Sequence, residues 1–146
     1  MEVWELVARE EIRNLSARYA HAADTGRFEE VVAVFAPDGV LEVHGQDPHR
    51  GRDAILAFLS GVGTELAAGT SVPLIRHHTS SVRIDVESPE RARSASYFLA
   101  ITEHGVDHWG RYRDEVRLVD GHWLITHRRV RTDGSAPGSW AANRIT

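Results

Sequence analysis

What the chain lacks narrows the classes of protein to which it can belong. It contains no cysteine, so it has no disulfide framework, no thiol nucleophile and no cysteine-based zinc site. No apolar run approaches the roughly 18–20 residues needed to cross a bilayer. The first residues show neither the basic start nor the apolar block of a signal peptide. We therefore expect a cytoplasmic protein that has no membrane partner.

Charge and motif content exclude further classes. A formal net charge of −4 with interspersed signs does not provide the basic face that a nucleic-acid-binding protein needs. The chain has no phosphate-binding loop, dinucleotide fingerprint or Gly-x-Ser-x-Gly elbow. Although it has nine histidines, the pairs His44/His49 and His104/His108 have no third ligand at a recognisable spacing. We expect neither a metal nor an organic cofactor.

The first half of the 146 residues has the apolar spacing of helices. Apolar residues at intervals of three and four predict three amphipathic helices, over Glu2–Ala23, Phe28–Phe35 and Ala54 to about Ser60. Gly26 ends the first, because glycine adopts left-handed backbone angles cheaply, and Asp53 is a suitable N-cap for the third. Val40–His44 is predicted to be a strand, and the glycine-rich residues 61–70 a loose connection.

The second half is rich in β-branched and aromatic residues. It predicts four long strands, over Leu74–Val86, Ala92–Glu103, Trp109–Val119 and His122–Arg131. Asp120-Gly121 between two of these runs is a strong signal for a tight hairpin. Helices followed by an antiparallel meander indicate an α+β fold with helices on one face of a curled sheet. We expect one domain over residues 1–131 and an extended C-terminal tail over 132–146, free to reach a neighbouring subunit.

Three groups able to move or hold protons, Tyr19, His21 and Asp24, crowd the end of the first helix, where packing residues are expected. Asp24 is either a cap or turn residue beside Gly26, or a carboxylate at the rim of a pocket, where it exchanges protons. Tyr19 lies five residues earlier, about 140° around an ideal helix, so the two could flank one cavity without stacking on one face. Tyr19 also fits the plainer role of a core aromatic.

Two further clusters lie on predicted strands. Strand alternation places His77 and His78 on opposite faces, and the apolar even positions that follow favour His78 as the inward residue. A strand histidine that faces a carboxylate from a helix end forms an acid/base dyad, although a lone strand histidine is more often structural. On the last strand, Arg128 or Arg129 could hold an anionic or carbonyl group from the concave side, or both could be surface cations.

Taken together, these residues resemble the SnoaL-like polyketide cyclase family of the nuclear transport factor 2-like superfamily. The resemblance runs from about Glu11 to Val130 and rests on the order and spacing of four stretches: Ile12–Asp24, Phe35–Gly39, His77–Asp85, and Gly110–Glu115 with Gly121–Trp123. It implies a cone-shaped barrel, in which a strongly curved mixed or antiparallel sheet wraps around a long N-terminal helix and two shorter helices accompany it.

The resemblance also implies site residues. Lyases of the family, such as bile-acid 7α-dehydratase and hexachlorocyclohexane dehydrochlorinase, have an aspartate at the end of the first helix, which Asp24 matches. Their strand histidine aligns with His77, with Ser81 in place of an asparagine, and this register contradicts strand alternation unless a bulge follows residue 78. We follow the resemblance and keep His78 as the alternative. Tyr19 and Arg128 match the family's Tyr-or-Lys position and its last-strand arginine.

The function that this resemblance implies is cofactor-independent acid/base catalysis. We expect a dehydratase-type elimination on a small hydrophobic cyclic substrate, with His77 oriented by Asp24, Tyr19 as proton donor and Arg128 stabilising negative charge. An isomerase or polyketide-type cyclase would use the same residues, and a binding or assembly module would use the fold without chemistry. Family members associate through the outer sheet face, so a homodimer or homotrimer is expected.

Overall fold

Three of the helices lie in the first half of the chain and the four long meander strands in the second, which is an α+β order. The computed structural model describes residues 1–68 and 75–144, which form four helices and six strands. The first half contains α1 (Val3–Asp24), α2 (Phe28–Val32), β1 (Phe35–Val43), β2 (His49–Arg50) and α3 (Arg52–Ala68). The second half contains β3 (Ile75–Ser88), β4 (Arg91–Thr102), β5 (Gly105–Val119), β6 (His122–Ser135) and α4 (Trp140–Arg144).

All six strands belong to one mixed sheet in the order β2-β1-β6-β5-β4-β3. Strands β3 to β6 form the predicted antiparallel meander, and β1 joins β6 in parallel. The hairpin between β5 and β6 turns at Asp120 and Gly121, both with positive φ, as the Asp-Gly signal predicted. The α+β class is therefore confirmed. The sheet is open rather than a closed barrel, since β2 and β3 lie at its opposite edges.

The sheet curls around α1. This helix contacts both β3 and β6, which are three strand spacings apart in the sheet, or about 14 Å if the sheet were flat. A helix only about 10–12 Å wide touches both strands only if the sheet bends around it. The buried face of α1, including Ile12, Leu15 and Tyr19, packs in the main hydrophobic core. At the sheet edge, α1 covers β3, which would otherwise expose unpaired backbone groups.

Two β-bulges change which side chains face the helices. In β3, Ser80 pairs with Tyr97 and Arg83 with Ala95, so one extra residue is accommodated, and Ser81 has a φ of 52°. In β6, His127 pairs with Glu115 while Ile125 pairs with Val116, which leaves Thr126 as the extra residue. Each bulge reverses the alternation of inward and outward side chains along its strand.

The boundaries of the second and third helices differ from prediction. Helix α2 ends early because β6 captures the chain: the Val34 carbonyl accepts a hydrogen bond from the Ile125 N–H at 2.9 Å. Helix α3 begins at Arg52, so Asp53 lies in its first turn and is not its cap. The helix also continues through residues 61–68, predicted as a loose connection, because the Phe28 ring fills the space beside Gly63. Residues 69–70 and Leu74 lie outside the described residues.

The C-terminal tail is not extended as predicted. Strand β6 continues to Ser135, and residues Trp140–Arg144 form α4, a third short helix beside the two expected. The tail turns back onto its own domain because the Asp107 backbone carbonyl accepts a hydrogen bond from the Ala136 N–H at 2.8 Å. Within the described residues, no helix has the combination of length and apolarity that crossing a bilayer demands.

Candidate active site

A cavity of about 180 Å³ lies between α3, α4 and the inner face of the sheet. Its walls are mostly apolar. Leu41, Phe58, Leu59, Val62 and Phe98 are among the residues that line it. Several lining side chains carry polar atoms, among them Tyr19, His77, His108 and Tyr112. An apolar cavity with a few convergent polar groups is the usual form of a small-molecule site.

Asp24 and His77 form a hydrogen-bonded pair at the wall of this cavity. The His77 Nδ1 lies 2.5 Å from the Asp24 Oδ1, and the His77 backbone N–H donates to Oδ2 at 2.9 Å. The His77 side chain is 18% exposed and the Asp24 side chain 7%. Because Asp24 holds Nδ1, the nitrogen left for a ligand is Nε2, which has no hydrogen-bond partner among residues 1–68 and 75–144.

The end of α1 places Asp24 opposite β3. Gly26 adopts a φ of 72°, and the Arg27 N–H bonds back to the Ala22 carbonyl at 2.9 Å, which terminates the helix as Gly26 predicted. Asp24 lies behind His77 and lines a separate surface groove with His21, whereas His77 lines both this groove and the cavity. Asp24 is thus positioned to orient the histidine and does not line the cavity itself.

The bulge at Ser81 decides which of the two neighbouring histidines faces inward. Before the bulge, the odd positions Ile75 and His77 point toward the helices; after it, the even position Ile84 does. His78 is exposed on the opposite face. Strand alternation without a bulge therefore selected the wrong histidine, and the family register selected the one that contacts Asp24.

Tyr19 is buried and lines the cavity. Its ring contacts the Tyr112 ring edge-on, at 5.9 Å between centroids. Burial raises the pKa of Tyr19, although the charge of Arg128 opposes part of that rise. Burial likewise raises the pKa of Tyr112. Both phenols therefore keep their protons at neutral pH and are able to donate hydrogen bonds. Tyr112 was not predicted, although its even position on a strand with buried even residues indicates an inward side chain.

Arg128 does not line the cavity, whereas the family resemblance predicted that it would contact the substrate and stabilise its negative charge. It is fully buried, its guanidinium lies 4.3 Å and 4.1 Å from the Tyr19 and Tyr112 ring centroids, and it donates two 2.8 Å hydrogen bonds to Asp114. Burial alone would lower the pKa of Arg128, but Asp114 raises it above its usual value. Arg128 therefore supports the two cavity tyrosines from behind.

A second histidine–carboxylate pair faces the same cavity and was missed at the sequence level. The His108 Nδ1 lies 2.7 Å from the Asp107 Oδ2, and the His77 and His108 ring centroids are 6.2 Å apart. Burial lowers the pKa of His108, although Asp107 raises it in part. The imidazole is therefore neutral at neutral pH. The signal in the sequence is an acidic residue followed by a histidine just before a predicted strand, whereas the spacing of His104 and His108 bears only on metal binding.

The two pairs do not form a metal-binding cluster. Across residues 1–68 and 75–144, no three His, Asp or Glu side chains converge in a way that would hold an ion. The polar groups of the cavity include two imidazoles, each with one nitrogen in contact with a carboxylate, and two neutral phenols. These groups can accept a proton at one point of a ligand and donate hydrogen bonds at another.

Comparison with known proteins identifies the family. The sequence profile of SnoaL-like domains matches residues 4–129. The chain belongs to the SnoaL-like domain family. No curated protein matches the sequence significantly. The assignment agrees with the SnoaL-like resemblance seen in the sequence, and the matched segment contains Tyr19, Asp24, His77 and Arg128.

Solved structures agree with this assignment. A scytalone dehydratase-like protein from Novosphingobium aromaticivorans is 30% identical with a TM-score of 0.81, over 93% of this chain and 91% of that one. A Catenulispora acidiphila protein in complex with S-DNPA is also 30% identical, with a TM-score of 0.74 over 88% and 95%. LinA shares the fold at 17% identity, with a TM-score of 0.80 over 93% and 94%. These relatives support a family of enzymes that process small molecules.

Proposed function

We propose that the protein is a cofactor-independent lyase that eliminates water or another leaving group from a small hydrophobic cyclic substrate. The observation that carries the proposal is the contact between Asp24 and the Nδ1 of His77 at the wall of an apolar cavity. A scytalone dehydratase-like protein at 30% identity supports elimination as the reaction class.

His77 takes the substrate proton in this mechanism. When the imidazole is neutral and Nδ1 donates to Asp24, the lone pair at Nε2 is free to remove a proton next to an activating group. The imidazolium that forms is then stabilised by the Asp24 carboxylate, which needs no proton of its own. Asp24 is fixed in advance by the His77 backbone N–H, so little reorganisation accompanies proton transfer.

Tyr19 and Tyr112 supply hydrogen bonds to the oxygen or leaving group that gains negative charge. Because burial raises the pKa of each phenol, both remain donors throughout the neutral range. Arg128, in contact with both rings, contributes positive potential without touching the substrate. Donors aimed at developing charge in an apolar site are commonly the largest contribution to such a reaction.

The volume of the cavity limits the size of the substrate. An engineered apolar cavity of about 150 Å³ accommodates benzene, and the cavity here is about 180 Å³. We therefore propose a substrate with one six-membered ring and small substituents. A fused-ring ligand would require α3 or α4 to move outward.

A ligand screen followed by product analysis tests the proposal. Monocyclic alcohols, ketones and halides would be screened by thermal shift, and every stabilising compound would be incubated with the protein and analysed by mass spectrometry. A product lighter than its substrate by water or hydrogen halide supports a lyase. A product of unchanged mass would instead indicate an isomerase or cyclase that uses the same residues.

Variants of the dyad separate catalysis from binding. We expect His77→Gln and Asp24→Asn each to reduce turnover by roughly 10²–10⁴-fold, the usual contribution of a positioned general base. His78→Gln is the matched control, since His78 is exposed on the outer face, and should keep wild-type turnover. Full turnover in His77→Gln, or ligand binding with no product from any compound, would contradict the proposed dyad.

We also propose that the protein forms a homodimer or homotrimer through the outer face of the sheet. Tyr97 and Trp109 lie on this face and are 59% and 40% exposed, an unusual exposure for large aromatic side chains unless a partner covers them. Light scattering coupled to size-exclusion chromatography should show an oligomer for the wild type and a smaller species for Tyr97→Arg. A wild-type monomer would refute this arrangement.

A further inference from the structure

The Asp107 carboxylate has two kinds of partner. Beside its contact with the His108 Nδ1 at 2.7 Å, it accepts hydrogen bonds from the backbone N–H groups of Trp140 at 2.8 Å and Ala141 at 3.2 Å. Asp107 itself is 2% exposed. A single buried carboxylate thus holds both a cavity histidine and the first turn of α4.

Helix α4 forms part of the cavity wall. Trp140 and Arg144 line the cavity, and Trp140 also lines a surface crevice of about 210 Å³ on its other side. Trp140 is therefore a partition between the cavity and the surface. The Arg144 guanidinium lies 4.6 Å from the Trp140 ring centroid and forms an ion pair with Glu65 of α3 at 2.8 Å. Displacement of α4 would join the cavity to the crevice and admit water to His108.

The proton arrangement of neutral His108, that is, which ring nitrogen carries the proton (its tautomer), depends on the same carboxylate. An ionised Asp107 only accepts hydrogen bonds, so a neutral His108 must carry its proton on Nδ1 to satisfy it. The Nε2 of His108 is then an unprotonated acceptor, as the Nε2 of His77 is in the proposed mechanism. His77 on β3, Phe98 on β4, and Trp140 with Arg144 on α4 surround the His108 ring.

We propose that Asp107 is a positioning residue that couples docking of α4 to the proton arrangement of His108, so that the cavity presents a second unprotonated imidazole nitrogen only while α4 covers it. When α4 undocks, Asp107 loses two backbone donors and gains water, and its hold on the histidine Nδ1–H weakens. The role of His108 toward a substrate hydroxyl rests on the proposed function, whereas the coupling itself is a property of the free protein.

Coupling is reciprocal, so a ligand that donates a hydrogen bond to the His108 Nε2 also favours the docked helix. A ring substrate with a hydroxyl group provides this donor. The cavity would then close most firmly over a hydroxylated ring, which excludes water during proton transfer. Asp107 would connect substrate recognition to closure without contacting the substrate.

Asp107→Asn tests the carboxylate directly in full-length protein with ¹⁵N-labelled histidine and backbone. An amide has one oxygen acceptor and one NH₂ donor where the carboxylate has two oxygens. The Asp107 Oδ1 accepts from Trp140, whereas Oδ2 accepts from Ala141 and contacts the His108 Nδ1. In the variant the amide nitrogen must therefore replace one of these acceptors. We expect amide exchange at Trp140 or Ala141 to become roughly 10- to 100-fold faster, because a hydrogen bond to a charged group is lost. We also expect the ¹⁵N shifts of His108 to show loss of the Nδ1–H form. Asp133→Asn, at an exposed ion pair, is the control.

Ser139→Ala tests the coupling from the opposite direction. The Ser139 Oγ accepts a hydrogen bond from the Ala142 N–H at 3.1 Å, so this mild variant weakens α4 without touching Asp107 or His108. Exchange at Ala141 should become roughly 3- to 10-fold faster, and the Nδ1–H population of His108 should fall with it. Ser88→Ala removes a similar side-chain acceptor from a distant turn and should change neither quantity.

Two results would overturn the proposed coupling. One is faster exchange in α4 with an unchanged His108 proton arrangement in either variant. The other is a changed arrangement at His108 while exchange in α4 stays at the wild-type rate. Neither readout requires a substrate, so the coupling can fail while the lyase proposal stands. If instead the coupling holds but no ring compound is turned over, the proposed function fails alone.

Discussion

Removing the charge of Asp114 should destabilise the domain more than any substitution at its exposed ion pairs. Arg128 is completely buried. It donates two 2.8 Å hydrogen bonds to Asp114, its only carboxylate partner among the described residues. Asp114→Asn keeps the shape of the side chain and leaves the guanidinium unneutralised between two aromatic rings. Breaking a buried pair in this way costs about 3–5 kcal/mol of unfolding free energy.

For a chain of this length, that loss corresponds to a fall in Tm of roughly 6–20 °C, at about 2–4 °C per kcal/mol. Urea unfolding followed by far-ultraviolet circular dichroism measures the free energy, provided that the m-value is unchanged. Asp133→Asn is the matched control, because the Arg111–Asp133 pair is partly exposed and 3.5 Å long. Its loss should cost less than about 1 kcal/mol.

A second substitution tests whether the unpaired charge of Arg128 causes the loss of stability in Asp114→Asn. Arg128→Met in the Asp114→Asn background removes the uncompensated charge and should recover part of the lost stability. If Asp114→Asn destabilises no more than Asp133→Asn, or if the double variant is less stable than Asp114→Asn alone, the guanidinium is not the source of the cost. Arg128 would then not be the buried, charge-paired support of the two tyrosines that its contacts indicate.

Three further predictions follow from backbone geometry and burial. Ser81→Gly should stabilise the protein by up to about 1 kcal/mol in thermal unfolding, because Ser81 has a positive φ that glycine adopts without strain; a destabilised variant would contradict this. Gly110→Ala should lower Tm, since its Cβ would lie near the Arg131 carbonyl oxygen, whereas Gly61→Ala in α3 meets no atom within 4 Å and should gain up to about 1 kcal/mol. Burial lowers the pKa of His108 in the folded protein. The stability that the neutral imidazole contributes is therefore complete above the pKa of the unfolded chain, about 6.5, and is lost as pH falls toward the folded pKa. Tm should therefore drop less between pH 7 and 5 in His108→Gln than in the wild type, and equal slopes would refute the assignment.

Local sequence signals predicted the first helix and the last hairpin, because each signal acts over only a few residues. The apolar period of α1, its termination at Gly26 and the Asp120-Gly121 hairpin all appear in the structure. The boundaries that failed depended on distant partners. The missing side chain at Gly63 makes room for the Phe28 ring beside the continued helix α3. The hydrogen bond between Val34 and Ile125 of β6 shortens α2.

The inward orientation of two site residues depends on β-bulges, which the two-residue alternation of a strand does not reveal. His77 and Arg128 face the helices only because Ser81 and Thr126 are extra residues in their strands. No composition signal marked either bulge. The family resemblance identified His77 because an alignment register includes such insertions, whereas a two-residue period excludes them.

The contact between the second pair and α4 could not be predicted for a different reason. Asp107 acquires its role through Trp140 and Ala141, 33 and 34 residues later in the chain. A tail predicted to be extended gave no reason to place a helix over the cavity. Contacts of this length follow from the assembled fold, not from local pattern.

The central claim is that Asp24 fixes the proton of His77 on Nδ1 and leaves Nε2 as the base. The ¹⁵N shifts and one-bond couplings of the His77 ring, recorded at a pH where the imidazole is neutral, measure this directly and require no substrate. We predict a proton on Nδ1 in the wild type, and its loss or redistribution in Asp24→Asn. A proton on Nε2 in the wild type, or a ring unaffected by Asp24→Asn, would contradict the proposed mechanism.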